Sequence, residues 1–473
     1  MRPLRALIAA AALALALPAG AAAQGYPQCF GETAADAVQP HGGQALRFGI
    51  TPGIQTGQLG TGAATPRTPE DPDRHLAELA KLRPPGGPFV LRLHRFFWSD
   101  GEPAVQSFLA LADRYTRAGY LVELQLRYHP SAGQEGDIAA WTAHVRDVVR
   151  RFGSNRRVVA IQVTNEVNLT FSPDSSDGSF AGARDALIQG VIAAKDEARK
   201  RGYNQLAIGF NWAYRTAPQD DASFWNYLRD HGGAAFTAAL DWVGLDAYPG
   251  TFFPPAEAPG GERDGMVNAM SALRCFTEGA GIPDSKPIHV EETGFPTDQA
   301  ARTEARQAQV ADTIVRAVND FRGNYNVSDL RWFNLRDGNS QSGNYQTQYG
   351  LLRDDYTEKP AFGVYGALVR ELSIRDAQAT PRAARPDVHL RARCSGTRVR
   401  ASVGGRDTGL VRRVEFRDGR RRARDTRRPF VRLLGRGRRQ RVAAIVRMRD
   451  GKRLVLRLRV PRCRGATGPS FAG

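Results

Sequence analysis

Two short segments of this chain each pass from apolar residues into carboxylates. Residues 161–168 read Ile-Gln-Val-Thr-Asn-Glu-Val-Asn, and residues 288–296 read Ile-His-Val-Glu-Glu-Thr-Gly-Phe-Pro. An apolar strand that ends in acids presents them at its carboxyl end, where a parallel barrel carries its chemistry. Two carboxyl groups flanking a glycosidic bond can cleave it, because one protonates the leaving oxygen while the other attacks or activates water. We therefore interpret Glu166 and Glu292 as a candidate catalytic pair.

A repeated fold is needed to bring acids that are 126 residues apart into one site. Apolar or β-branched runs predict eight strands, at 45–50, 89–93, 121–126, 158–163, 206–210, 242–245, 288–290 and 330–333. Between them, apolar spacing typical of amphipathic helices recurs, for example at 104–118, 138–152, 183–201, 266–276, 304–321 and 361–372. This alternation favours an α/β fold, a (β/α)8 TIM barrel, over an open sheet. Glu166 and Glu292 then end the fourth and seventh strands.

The texture of the sequence changes along the chain and predicts four segments. Basic residues precede a short apolar run that is too short to cross a bilayer and ends in small residues, which is typical of a secretory signal peptide. Short alternating runs in the last hundred residues, separated by Gly and Asp, indicate an antiparallel β-sandwich. We predict a secreted protein without a transmembrane segment, with a signal peptide at 1–23, the barrel at 24–373, a linker at 374–386 and an Arg-rich β-sandwich at 387–473.

The positive charge of the chain is concentrated at its C-terminal end. Residues 374–473 hold 30 Lys and Arg against 7 Asp and Glu, a balance of +23, so the remaining residues carry −5 of the total of +18. Such a field attracts anionic polymers. In an exported protein it favours an acidic wall polymer, an anionic polysaccharide or membrane headgroups as a partner, rather than nucleic acid. The alternative is a surface that serves only solubility.

Four cysteines are present, and an even number in an exported chain favours disulfides. Three pairings are possible. We predict one bridge per domain, Cys29 with Cys275 and Cys394 with Cys463, and the alternative is buried thiols.

The segments around the two glutamates resemble motifs of the clan A glycoside hydrolases, the (β/α)8 group that includes cellulases, galactanases and β-1,3-glucanases. Thr164–Glu166 matches that clan's Asn-Glu at the end of the fourth strand, whose Glu is the acid/base. Glu292–Pro296 matches its nucleophile motif at the end of the seventh. The resemblance covers roughly residues 45–372, by motif and strand order. It implies a retaining mechanism in which Asn165 holds the sugar 2-hydroxyl.

Neighbouring residues offer alternatives and further contacts. Glu291 is the alternative nucleophile, but alternation along a strand should let only one of the two adjacent glutamates point inward, and the motif favours Glu292. Tyr248 ends the sixth strand, where the clan often has a tyrosine that hydrogen-bonds the nucleophile; a loop anchor is the alternative. Trp332 ends the eighth, where the clan usually has an aromatic platform under the sugar; a core tryptophan is the alternative.

Polar residues at other strand ends complete the predicted site. Arg92, His94 and His129 end strands two and three, where the clan carries an Arg and a His near the nucleophile, although they could be ordinary buried polar residues. Asn211 and Trp212 end strand five and are candidate substrate contacts without a clear counterpart. Long loops at 53–73, 170–179 and 250–264 follow strands and should shape the cleft.

The sequence thus predicts a secreted retaining glycoside hydrolase acting on a β-linked polysaccharide. Two alternatives remain, a non-catalytic wall- or polysaccharide-binding protein and a transglycosylase that uses the same residues. His-Glu-x-x-His, paired Cys-x-x-Cys, Walker and strand-following Gly-x-Gly-x-x-Gly motifs are absent from the sequence. We therefore predict no metal and no cofactor.

Overall fold

The computed structural model describes most of the chain and divides it into two compact units, Met1–Asp376 and Ala377–Gly473. The predicted signal peptide at 1–23 and linker at 374–386 lie outside the described residues. None of the described helices is long and apolar enough to cross a membrane. The described residues are Cys29, 38–53, 66–214, 218–252, 261–298, 302–373, 388–395, 397–418, 421–436, 440–449, 453–460 and Cys463.

The first unit is a closed barrel of eight parallel strands in sequential order, which confirms the predicted (β/α)8 fold. Pairing between the first and eighth strands closes it, with Phe48 opposite Leu330. The strands are β1 (Arg47–Ile50), β2 (Val90–Phe97), β3 (Leu121–Arg127), β4 (Val158–Val163), β5 (Ala207–Ala213), β6 (Trp242–Asp246), β7 (Ile288–Thr293) and β8 (Val327–Trp332). The helices that follow them are α1 (Pro72–Leu82), α2 (Gly101–Arg117), α3 (Ile138–Phe152), α4 (Ala183–Arg201), α5 (Pro218–Ala239), α6 (Glu262–Gly279), α7 (Glu304–Phe321) and α8 (Pro360–Leu372).

Local sequence signals set several helix starts. The Asp71 carboxylate accepts hydrogen bonds from the first backbone amides of α1, and Asp137 and Thr303 cap α3 and α7 in the same way. Proline occupies the first turn of α1 and of α8, where its missing amide leaves no bond unmade.

A buried ion network fills the barrel interior below the strand ends. Arg331 contacts Glu123 at 3.1 Å and Asp329 at 2.6 Å, and His289 lies between Asp329 and Glu291 at 3.2 and 3.1 Å. All five side chains are almost fully buried. Since buried charges are stable only when paired, this network fixes the positions of the inward side chains of β3, β7 and β8.

The buried carboxyl of Glu123 should make barrel stability depend on pH. Burial and the neighbouring Glu291 raise the pKa of Glu123 to about 8, although Arg331 opposes this shift. Between the ordinary glutamate value of about 4.3 and this value, the folded chain keeps a proton that the unfolded chain releases, so stability falls as pH rises, by at most about 5 kcal/mol. We expect Glu123→Gln to remove this fall. In thermal unfolding, the Tm of Glu123→Gln minus the Tm of wild type should then increase from pH 5 to pH 8.5.

Glu371→Gln is the matched control for this measurement. Glu371 hydrogen-bonds Arg316, which lowers the pKa of its exposed carboxyl, so it is ionised in both states across this range. The Tm of Glu371→Gln minus the Tm of wild type should therefore stay constant from pH 5 to pH 8.5. A constant difference for Glu123→Gln as well would contradict the assignment.

The second unit is an antiparallel β-sandwich, as predicted. One sheet has the order β13-β10-β9 and the other β12-β11-β14-β15. A core that includes Val399, Val414 and Phe416 lies between their inner faces. The sequence did not indicate β12 and β13. The strands are β9 (His389–Ser395), β10 (Arg398–Gly404), β11 (Val411–Asp418), β12 (Arg421–Asp425), β13 (Val431–Arg436), β14 (Gln440–Met448) and β15 (Arg453–Val460).

The structure pairs the cysteines as predicted. Cys29 is bonded to Cys275 within the first unit and Cys394 to Cys463 within the second, each with Cα atoms 5.4 Å apart.

Candidate active site

The structure brings the two predicted glutamates together above the ends of β4 and β7. Oxygen atoms of Glu166, Glu292 and a third carboxyl, Asp246, all lie within 4.8 Å of one another. Glu166 is 6% and Glu292 8% exposed, while Asp246 is fully buried. The carboxyls therefore share one largely dry site, in which electrostatic interactions are strong.

Three donors hold the Glu292 carboxylate. Arg92 donates to one oxygen at 2.7 Å, with Gln125 further away at 3.4 Å, and the Tyr248 hydroxyl donates to the other at 2.7 Å. Burial alone lowers the pKa of Arg92, but the neighbouring acidic side chains, Glu292 first, outweigh it and keep the guanidinium charged. Burial and Glu292 raise the pKa of Tyr248 well above its usual value, so its hydroxyl keeps its proton. These donors fix the orientation of the Glu292 carboxylate.

Removing the tyrosine hydroxyl tests this arrangement. If the predicted role of Glu292 is right, we expect Tyr248→Phe to lower kcat about 10- to 100-fold, because the carboxylate loses a donor that orients it. Steady-state kinetics should show a much smaller change in KM. Tyr345→Phe is the control, since Tyr345 lies in the same aromatic cluster and its ring contacts Phe252. Equal losses in the two variants would contradict a specific role for the Tyr248 hydroxyl.

Both adjacent glutamates of β7 point into the barrel, which corrects the expectation that only one could. Arg92 lies 2.7 Å from Glu292 and 3.3 Å from Glu291, and Glu291 also contacts His289. Register shifts on both sides of β7 break the strict alternation of side chains. Glu291 is fully buried in the ion network, whereas Glu292 lies at the opening of the barrel. This placement favours Glu292 over Glu291 as the reacting carboxylate.

Left-handed backbone ends β4 and turns Glu166 into the site. Thr164 has φ 65° and Glu166 has φ 46°, values that are uncommon for residues other than glycine. Asp177 holds this turn, because its carboxylate accepts from the Asn165 amide at 2.9 Å and from Arg127 at 2.7 Å. Asp177 belongs to the 170–179 loop, which therefore supports the turn that carries Glu166. Strained backbone of this kind concentrates at functional sites.

Asn165 lies at the centre of a ring of amide side chains. Its side-chain oxygen accepts hydrogen bonds from Gln125 at 2.7 Å, Gln162 at 3.0 Å and Asn211 at 2.7 Å. Asn211 also accepts from the backbone amide of Glu166 at 2.9 Å. Asn165 and Asn211 thus both lie beside Glu166, and their contact with a substrate stays a prediction. Gln125 and Gln162 were missed, although a polar residue inside an apolar strand is a recognisable signal for an inward position.

Asp246 is the carboxyl that sequence reasoning missed. It ends β6 as Glu166 follows β4, and it accepts a hydrogen bond from Asn211. Burial, Glu292 and Glu166 together raise the pKa of Asp246 well above its usual value. Asp246 therefore tends to hold a proton and to remain neutral between two other acids. The same rule that identified the pair, an apolar strand ending in an acid, could have found it.

Two sets of three side chains in the barrel have the composition of a metal site. One is Glu166, Asp246 and Glu292, and the other is Glu123, His289 and Glu291. Guanidinium groups already contact both sets, Arg92 the first and Arg331 the second. Each set thus already has a guanidinium partner from the chain itself, and we assign no metal to either set.

Both predicted tryptophans belong to the helix-facing layer rather than to the cleft. Trp332 is fully buried against Tyr365 of α8, and Trp212 is fully buried, with its indole N–H donating to Asp221 at 2.9 Å. Each follows an inward residue on its strand, so alternation turns its ring outward. The expectation of a platform at Trp332 is therefore not met by its position, and Trp212 is not placed for substrate contact.

An aromatic cluster does lie beside Glu292, but its residue from the end of β8 is Phe333, which follows Trp332. Phe333 packs against Tyr248 and Tyr349, with ring centroids 6.2 and 5.7 Å apart. His94 meets the same phenyl ring edge-on at 5.6 Å, so it borders this cluster. The sequence signal was present, since Phe333 directly follows Trp332 at the strand end.

His129 lies further along the barrel rim. Its ring contacts Ser99 at 3.2 Å and packs against Phe97 and Phe180. Burial lowers the pKa of His129, so it tends to be neutral. These contacts are those of a packed histidine, in line with the ordinary buried polar alternative.

No protein-family model matches the chain, and no curated protein sequence matches it. Several solved structures that resemble it are glycoside hydrolases. They include a family 39 glycoside hydrolase from Bacteroides cellulosilyticus (13% identity, TM-score 0.49, covering 83% of this chain and 79% of that one). A fungal β-1,4-galactanase (13%, 0.47, 68% and 99%) and a Cellulomonas fimi endo-β-1,4-mannanase (13%, 0.45, 88% and 94%) are further examples.

The chain covers 45% of the length of a Bacteroides uniformis β-glucuronidase 2, which matches 89% of this chain at 12% identity and a TM-score of 0.44. Values this low do not establish a shared activity. The function is therefore proposed from the side chains of the site.

Proposed function

We propose that this protein is a retaining glycoside hydrolase that cleaves a β-linked polysaccharide by double displacement. The observation that carries the proposal is the separation of the Glu166 and Glu292 carboxyls, whose oxygens lie within 4.8 Å. Retaining enzymes keep their carboxyls about 5 to 5.5 Å apart, whereas inverting enzymes leave about 6.5 to 9.5 Å for a water molecule. One oxygen of each glutamate lies within 4.8 Å of the other, closer than the inverting range, so direct attack by a carboxylate is the better fit.

The surroundings of the two glutamates match two different roles. Glu292 accepts hydrogen bonds from Arg92 and Tyr248, which aim its carboxylate as a nucleophile at the anomeric carbon. Glu166 protonates the departing oxygen in the first step and accepts a proton from water in the second. Asp246 adds a third carboxyl within reach of both, and its neutral form limits the negative charge in the site.

Substrate contacts follow from the same arrangement. Asn165 sits between Gln125 and Asn211, which hold its amide in place for the sugar 2-hydroxyl. The cluster of Tyr248, Phe333 and Tyr349 packs next to Glu292, and its largely buried rings form an apolar wall against which the C–H face of a sugar can lie. Both features suit a pyranose held across the barrel opening.

Export is part of the proposal. Two disulfides, one in each unit, support an oxidising compartment. Together with the predicted signal peptide, they support a secreted enzyme whose substrate lies outside the cell.

The test is product analysis on a panel of galactan, β-glucan, mannan and xylan. We expect one of them to release reducing sugar, and proton NMR of the first product should show the anomeric configuration of the substrate. A Glu292→Ala variant, assayed in parallel, excludes a contaminating hydrolase. Longer oligosaccharides would indicate transfer to sugar in place of water. Binding of a polysaccharide without any bond cleavage would identify a non-catalytic binding protein instead.

A further inference from the structure

The outer face of the four-stranded sheet in the second unit carries a set of arginines around Ala443, Ile445 and Val455. On β11, buried Val414 and Phe416 alternate with Arg413, Glu415 and Arg417, which point away from the core. Strand register places further arginines on the same side. We call the seven arginines on this side the arginine face: Arg413, Arg417, Arg422, Arg424, Arg447, Arg453 and Arg457. Arg413 and Arg417 are half-buried, and the other five are exposed.

Like charges stand directly opposite one another on this face. Arg447 of β14 pairs with Arg413 of β11 on one side and with Arg453 of β15 on the other, which makes a row of three across the sheet. Neighbouring strands are only about 4.8 Å apart, and like charges in this position are destabilising. The row therefore lowers the stability of the free protein and would gain stability from a bound polyanion.

Acidic residues do not balance this charge within the described part of the sheet. Glu415 is the one acid among the outward residues, and it pairs with Arg417 at 2.6 Å. The row of three has no such acidic neighbour in its register. Guanidinium groups bind carboxylates and phosphates through two parallel hydrogen bonds, so an array of them suits a polymer with repeated acid groups.

The chemistry of the face separates possible polymers. The aromatic residues Phe416 and Phe430 are both buried in the core of the unit, so among its described residues no phenyl ring is exposed to stack on bases. Recognition would then be electrostatic and would act on charged groups alone. The choice of a polysaccharide over another polyanion rests on the proposed function, because the same chain carries the candidate glycosidase site.

We propose that the arginine face is a binding site for a linear acidic polysaccharide, a polymer of uronic acid residues. This site would hold the secreted enzyme on charged wall material while the barrel acts on its own substrate. The affinity would depend strongly on salt, since each neutralised acid group releases a counterion.

The test uses the full-length protein and polygalacturonate as the probe, with binding measured between about 50 and 200 mM salt. The triple variant Arg413→Gln/Arg447→Gln/Arg453→Gln should bind at least tenfold more weakly than wild type at low salt and with a shallower salt dependence. Its Tm should equal or exceed that of wild type, because repulsion within the row is removed. A Tm below that of wild type would contradict the account of the row.

The matched control carries the same change in charge outside the arginine face. Arg391 lies on the other sheet opposite Ser402, and Arg427 and Arg428 are exposed in a turn. Their triple substitution to glutamine should weaken binding less than threefold. Equal losses in both variants would show that only net charge matters and would overturn the site. The site would also be overturned if wild type did not bind polygalacturonate, or if it bound duplex DNA more tightly.

The outcome is separable from that of the proposed function. Hydrolysis of a short neutral oligosaccharide by the Arg413, Arg447 and Arg453 variant should remain at the wild-type level. Loss of binding with retained hydrolysis supports the arginine face. Binding of polygalacturonate by a wild-type protein that cleaves no substrate would contradict the proposed function but would still support this binding site.

Discussion

Replacing Glu292 with alanine is expected to lower kcat by roughly 10⁴-fold or more, because the variant lacks the nucleophile that forms the glycosyl-enzyme intermediate. Alanine also opens space where the carboxylate stood, beside the charged Arg92 and the Tyr248 hydroxyl. A small anion such as azide can enter that space and attack the anomeric carbon. Added azide should therefore restore turnover and give a glycosyl azide of inverted configuration.

Glu292→Gln provides the control for rescue. Glutamine fills the same volume, so the variant should be as slow as Glu292→Ala while azide restores nothing. Since both substitutions remove the closer of the two carboxylate partners of buried Arg92, the folding of each variant is checked by its Tm. Wild-type activity in a folded Glu292→Ala variant would end the assignment.

Replacing Glu166 with glutamine should lower kcat on the natural polysaccharide by about 10² to 10⁴, the usual contribution of a positioned general acid. The size of the loss depends on the leaving group. Aryl glycosides whose phenol leaves without a proton should still form the intermediate quickly, so a burst of phenol should precede slow turnover. Stopped-flow absorbance measures that burst.

The dependence on the leaving group separates Glu166 from its acidic neighbour Asp246. Asp246→Asn keeps the hydrogen bond to Asn211 within reach and removes no acid that touches the departing oxygen. That variant should slow aryl glycosides and polysaccharide by similar factors. Equal losses on both substrates in Glu166→Gln would argue against a role as the acid.

The sequence predicted the barrel well because its signals are local. Apolar strands, amphipathic helices and caps such as Asp71 act over a few residues, and eight repeats of one unit leave a closed parallel barrel as the best arrangement. The ends of β4 and β7 followed from the same pattern, so Glu166 and Glu292 could be found before their distance was known. The short strands β12 and β13 could not, because Arg-rich runs lack the apolar alternation that marks a strand.

The misplaced side chains have a different cause. Which way a residue points depends on strand register, and one bulge reverses the alternation that follows it. The register shifts beside β7 let Glu291 and Glu292 both face inward. Phe333 rather than Trp332 lies in the aromatic cluster beside Glu292, because the ring of Trp332 faces α8. Asp246 was overlooked although it satisfied the rule applied to Glu166.

Covalent labelling gives the most direct test of whether two rim glutamates act on one bond. The protein is treated with 2-deoxy-2-fluoro glycosyl fluorides of glucose, galactose and mannose, which trap a retaining enzyme as its glycosyl ester, and the labelled peptide is sequenced by mass spectrometry. We predict a single sugar on Glu292, formed more slowly in Tyr248→Phe. A label on Glu291 or elsewhere, or the lack of any label in a protein that cleaves its substrate with inversion, would contradict the account.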